Sequence, residues 1–125
     1  MNKDLELKLV EKYPVLFKEY GMTVKESCMA WGCSCGDGWY KILDELFSKL
    51  SKYEGITLTQ VKEKFGILRV YIDAINSVKF EEVHKHIEAA EIQSGKTCET
   101  CGEPGEIRGK GWIFTACDKC YEERK

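Results

Sequence analysis

The chain is poor in proline and histidine, with two of each in 125 residues, and it has almost no excess of charge. Nineteen Lys and Arg against 21 Asp and Glu leave a formal net charge of −2. That excludes a polycation built to coat nucleic acid or an anionic membrane, while leaving room for a local basic patch. Long hydrophobic runs are missing too. No stretch is apolar for the length a bilayer requires, and Met1-Asn2-Lys3-Asp4 leads into no apolar signal core, so the protein is expected in the cytoplasm. A dinucleotide fingerprint, a P-loop lysine, a nucleophile–base signature and a spaced carboxylate pair are all absent. The length suits one compact domain with a small appendage and excludes a large multidomain enzyme.

Cysteine, by contrast, is plentiful: there are seven, an odd number. Four of them form two pairs, Cys98-Glu-Thr-Cys101 and Cys117-Asp-Lys-Cys120. Each two-residue spacer lets a tight turn bring both sulfurs to one ion, and the 15 residues between Cys101 and Cys117 suffice for a small hairpin. This is zinc-ribbon spacing. Glu106-Ile107-Arg108 and Trp112-Ile113-Phe114-Thr115 are its expected strands, turning at Gly109-Lys110-Gly111. Four thiolates suit tetrahedral Zn²⁺ and leave no open position for water or substrate, so the expected role of the metal is structural. A segment this short, with so little to bury, needs such a staple.

Upstream, Leu5, Leu9, Tyr13, Leu16, Phe17 and Tyr20 fall at near-helical spacing interrupted by Pro14, which predicts two short helices meeting there and ending at Gly21. Met22 to Gly38 reads as an irregular loop. Asp37 is a candidate N-cap for a helix over 38–53 whose stripe is Trp39, Ile42, Leu43, Leu46, Phe47, Leu50 and Tyr53, closed by Gly55. Ile56–Phe65 and Ile67–Asp73, rich in β-branched and aromatic residues on either side of Gly66, predict a β-hairpin. Leu68, Val70 and Ile72 alternate with Arg69, Tyr71 and Asp73, and a change of phase between Leu58 and Val61 predicts a bulge. A second amphipathic helix is expected from about Ser77 to Gln93, with Phe80, Val83, Ile87 and Ala90 on its buried stripe and His84 and His86 at its edges. Ser94-Gly95-Lys96 reads as the linker to the ribbon. The fold class is α+β: a small antiparallel sheet, with room for a further strand, packed on helices in residues 1–94, with a zinc ribbon in 95–125.

Several patterns have the outline of a site. His86-Ile-Glu88 ahead of Cys98-x-x-Cys101 has the outline of a zinc deaminase, but the gap is too short and the second cysteine pair completes the metal shell. Cys28, Cys33 and Cys35 match no common ligand spacing and read as small buried thiols rather than a second metal site. Gly36-Asp37-Gly38-Trp39 opens a helix where an anion or nucleotide phosphate could sit, with an ordinary helix start as the plainer reading. Lys62, Lys64 and Arg69 make the hairpin basic. Arg108, Lys110 and Trp112 at the ribbon tip form a second basic-aromatic point, unless Trp112 packs the ribbon onto the main domain.

Taken together, Trp31-Gly32, the Cys35-Gly-Asp-Gly-Trp-Tyr40 string, Gln60-Val-Lys-Glu-Lys-Phe-Gly66 with Leu68, Arg69 and Tyr71, and the Cys98-x-x-Cys-Gly-x-Pro-Gly105 knuckle resemble a family of small phage and prophage proteins with a C-terminal zinc ribbon. The likeness spans most of residues 28–120 and brings no activity with it. It implies a virus-encoded accessory protein working in a bacterial cytoplasm. An aromatic residue is expected near Cys33, which sets that thiol apart from a general ligand. The resulting expectation is a non-catalytic module that engages a host protein or nucleic acid to counter or redirect host machinery, through Lys62, Lys64, Arg69 and the ribbon tip. The alternative is a binder or sponge for an anionic, nucleotide-like small molecule held by Asp37 and Trp39 against the basic hairpin.

Overall fold

A computed structural model describes residues 1–75 and 79–124. Helix α1 (Lys3–Lys12) starts where Asn2 accepts a hydrogen bond from the Leu5 amide at 2.9 Å, and its end is tied down when Tyr13 donates its hydroxyl to Asp44 at 2.6 Å. The second helix expected after Pro14 does not form. Residues 14–21 make successive tight turns, with Leu16 N bonding Tyr13 O and Tyr20 N bonding Phe17 O. The reason is a tertiary competitor: the Leu16 carbonyl accepts from Leu58 N at 2.9 Å, so the segment is drawn to the sheet edge while Leu16 and Phe17 enter the core.

The central sheet has the order β1-β2-β3, with β1 (Cys33–Ser34), β2 (Ile56–Lys64) and β3 (Ile67–Ala74). The hairpin of β2 and β3 turns at Phe65 and Gly66, both at positive φ (54° and 81°) as a two-residue primed turn requires. The register slips between Leu58 and Gln60, which is the predicted bulge. The further strand is β1, which pairs parallel to β2 with Cys33 opposite Val61. Leu68 and Val70 face the core, whereas Arg69 and Tyr71 face outward.

Helix α2 (Tyr40–Leu50) buries Ile42, Leu43, Leu46, Phe47 and Leu50, as its periodicity predicts. It is entered through a 3-10 turn, Asp37–Trp39, whose N-cap is Gly36. Asp37 therefore does not cap the helix; its carboxylate accepts from the Asn2 amide at 2.6 Å and side chain at 3.0 Å. Helix α3 (Phe80–Ser94) buries Val83, Ile87 and Ala90. The expected start near Ser77 lies outside the described residues. Phe80 departs from the predicted stripe: it is exposed and stacks on His84, one turn along the helix. Helix α3 also covers the outer edge of β3, where Leu68 N donates to Ser94 Oγ (2.9 Å) and Val70 N to Glu91 Oε2 (3.3 Å). Ser94, expected in a linker, is fully buried, and the residues after it continue as packed turns.

The C-terminal part holds β4 (Glu106–Arg108) paired antiparallel with β5 (Phe114–Ala116), followed by α4 (Asp118–Arg124), a helix the sequence reading did not anticipate. Strand β5 begins two residues later than expected, which leaves Trp112 in the loop. Its own core is small: Cys98, Ala116 and Cys120, with Phe114, Cys117 and Tyr121 against them. No helix among the described residues is long and apolar enough to cross a membrane.

Candidate functional site

The four predicted ligand cysteines converge. The sulfurs of Cys98, Cys101, Cys117 and Cys120 all lie within 4.8 Å of one another and could hold a metal ion. The first pair is shaped by a knuckle in which Gly102 N bonds Cys98 O at 2.9 Å, with Gly102 at φ +84°, and Cys98 N bonds Glu103 O at 2.7 Å. The second pair straddles the start of α4, where Cys120 N points at Cys117 Sγ (3.4 Å). Cys101 and Cys117 stand 3.7 Å apart, far beyond a disulfide bond of ~2.05 Å.

The electrostatics of the cluster call for a cation. Burial opposes ionisation of Cys98, but the amides of Cys117, Cys101 and Thr100 outweigh it and bring the thiol down to about 6. Cys120 goes the other way, up to about 12, because the adjoining Cys117 sulfur and then burial disfavour further negative charge. Cys98 ionises readily while Cys101 and Cys120 resist, an imbalance that a bound cation would relieve.

The Gly36–Trp39 segment turns out to be the seat of this knuckle. Trp39 is fully buried and donates its indole N–H to the Thr97 carbonyl at 2.9 Å. Gly38 N donates to Glu99 O (2.7 Å), and Gly36 N to the Glu99 carboxylate (2.8 Å). The Gly36 and Gly38 amides that a nucleotide phosphate would need are thus taken by the chain's own Glu99 and Trp39 is buried, whereas Asp37 stays exposed with its carboxylate accepting from Asn2. Thr115 completes the docking by donating its hydroxyl to the Gly66 carbonyl at the hairpin turn, 2.6 Å away. Neither this role of the glycines nor that of Thr115 was read from the sequence; the one available signal was that Gly36 and Gly38 closely precede a tryptophan, Trp39.

The contact residues separate into two groups. Arg108 is tied up internally, pairing with Asp118 and Glu106, donating to Ala116 O, and lying over the Tyr121 ring. Trp112 does not pack the ribbon down: it is 74 % exposed, beside an exposed Lys110. Lys62 and Arg69 sit opposite each other on the outer sheet face, Lys64 lies next to the turn, and Arg69 bridges to Glu91 at 3.7 Å. Phe65, which the sequence reading passed over, projects from the turn 66 % exposed, with the Lys64 ammonium over its ring.

The remaining cysteines do not form a second site. Cys33 and Cys35 are buried as expected, and burial pushes the Cys33 thiol up to about 12, with the Glu6 charge adding to it; Cys28 is exposed. The two histidines are not brought together: His84 is exposed against Phe80, and His86 lies half-buried near Tyr53. Among the described residues every buried side-chain nitrogen and oxygen has a hydrogen-bond partner. No protein-family model matches the chain, no curated protein is detectably similar to it, and no solved structure matches it.

Proposed function

We propose that the chain is a non-catalytic binding module, stapled by one structural zinc ion and engaging its partner through the outer face and turn of the β2–β3 hairpin. The resemblance of its CGDGW and QVKEKFG segments to a phage family supports setting it in a bacterial cytoplasm as a viral accessory protein acting on host machinery.

Zinc suits the donor set. Zn–S bonds of ~2.3 Å place sulfurs about 3.8 Å apart around a tetrahedral ion. The 3.7 Å separation of Cys101 and Cys117 fits that edge. Cys98, Cys101, Cys117 and Cys120 would hold the ion, and when bound it supplies a cross-link between the knuckle and α4. The chain's own residues do the rest: Trp39, Gly38 and Gly36 grip the knuckle, and Thr115 holds the hairpin turn.

The observation that carries the binding role is the placement of half-buried Lys62 and Arg69 and exposed Lys64 on the outer sheet face beside an exposed aromatic turn, on a scaffold whose thiols close around one point. The nucleotide-sponge alternative lacks such support, because Glu99 fills its proposed amide site. The test has two parts. Native mass spectrometry of protein purified without chelator should show one zinc per chain, lost in Cys98→Ser. Immobilised protein should retain a specific component of a bacterial lysate that the Lys62→Glu/Arg69→Glu variant does not. Equal retention by both proteins, or by neither, defeats the reading.

A further inference from the structure

Resting on that binding-module reading, we infer that the partner is single-stranded nucleic acid, stacked on Phe65 and Tyr71 with its phosphates on Lys62, Lys64 and Arg69. The first observation is Phe65 itself. A bulky residue at positive φ is a true outlier, and this turn position favours Gly, Asn or Asp. The strain is not offset by burial, since Phe65 is 66 % exposed with the Lys64 ammonium 5.8 Å from its ring centroid. A strained, solvated aromatic at a position that stability would assign to asparagine is best explained by something that lands on it.

The second observation is the composition of the adjoining face. Alternate residues of a strand lie ~7 Å apart on one side. The outward column of β3 therefore sets Arg69 beside Tyr71, which is 46 % exposed, while β2 contributes Lys62 and Lys64 next to them. A cavity of about 690 Å³ runs between this hairpin and α3, lined by Lys64, Phe65, Arg69, Tyr71 and His84 among others. Glu88 and Glu91 also line it, and Glu91 is already engaged by Arg69 and the Val70 amide. Rings interleaved with cations are what a flexible strand of bases and phosphates requires. An acidic peptide would use the cations but would leave exposed rings without a purpose. The ribbon abuts the turn, with Gly66 against the Phe114 backbone.

Fluorescence anisotropy with a labelled oligothymidylate or oligouridylate of about fifteen nucleotides tests the inference on the full, zinc-loaded chain. Single strands should bind more tightly than a duplex of the same length. Three phosphate contacts predict a log–log salt slope of about −2. The deciding variant is Phe65→Asn, which relieves the turn. It should bind roughly tenfold more weakly while its melting temperature holds or rises by a few degrees. A purely structural Phe65 would move stability and binding together, or neither. No binding at protein concentrations up to about 100 µM in low salt overturns the inference, as does an unaltered affinity in Phe65→Asn. If oligonucleotides are ignored but a lysate protein is retained by wild type and lost by Lys62→Glu/Arg69→Glu, the nucleic-acid inference is wrong and the binding-module reading stands. If nothing is bound in either assay, both fall.

Discussion

Replacing Gly38 with alanine sets local propensity against tertiary packing. Its φ lies outside the left-handed region, in the turn that leads into α2, so helix propensity alone predicts that Gly38→Ala stabilises the protein by up to ~1 kcal/mol. The structure predicts the opposite. A β-carbon there would overlap the Cys98 carbonyl oxygen and come within 2.6 Å of the Gly102 nitrogen and 2.7 Å of the Glu99 carbonyl carbon. All three are backbone atoms of the knuckle, which cannot swing aside as a flexible side chain would. The knuckle must retreat, and three hydrogen bonds lengthen together: Gly38 N to Glu99 O, Gly36 N to Glu99 Oε2, and Trp39 Nε1 to Thr97 O. At ~1 kcal/mol each, less the propensity gain, the net loss is about 2 kcal/mol. For a chain of this size that corresponds to a fall in melting temperature of roughly 8 °C. Differential scanning calorimetry of zinc-loaded protein measures it, and the emission of Trp39 should shift to the red as its seat opens to water. An unchanged or raised melting temperature would refute the claim that the glycines of this motif exist to receive the knuckle.

Two further outcomes follow from the core. Burial works against ionisation of Glu6, but hydrogen bonds from the Tyr20 hydroxyl, the Cys33 amide and Lys3 prevail and hold its carboxyl below the usual range. A carboxylate with a depressed folded pKa stabilises above its unfolded value near 4.5 and loses that contribution as pH falls through the folded one. The melting-temperature advantage of wild type over Glu6→Gln should therefore be full at neutral pH and shrink steadily below about pH 4.5; a constant difference across that range would contradict it. Ser94→Ala removes the acceptor of the buried Leu68 amide and should cost about 2 kcal/mol in urea unfolding, with faster hydrogen exchange at Leu68 as the local signature.

Legibility in the sequence varied with the range of the interaction responsible. The stripe of α2, the alternation of β3, the bulge and each of the two cysteine pairs follow from spacings of two to four residues, and each was readable as such. Phe80 was misread because a position at helical spacing near a helix end has no neighbour to bury it unless another element reaches it. The turns of 14–21 escaped because the Leu16 carbonyl is claimed by Leu58, more than forty residues away. Arg108 and Trp112, expected together at the ribbon tip, part company for the same kind of reason: β5 starts late and leaves the tryptophan in the loop, while α4 brings Asp118 and Tyr121 to occupy the arginine.

By itself, then, the sequence determined the α+β class, the hairpin, the main helix and the four-thiol cluster, because side-chain periodicity and the spacing of each cysteine pair are local patterns. Only the tertiary structure decided what Gly36, Gly38 and Trp39 are for. As a local string they resemble a phosphate-binding helix start. Once the knuckle lies against them, their amides and indole are spent on Glu99 and Thr97. A backbone donor can read as a ligand site or as a docking seat with equal ease. The difference is which chain segment arrives opposite it, and that is set by the packing of residues some sixty positions apart.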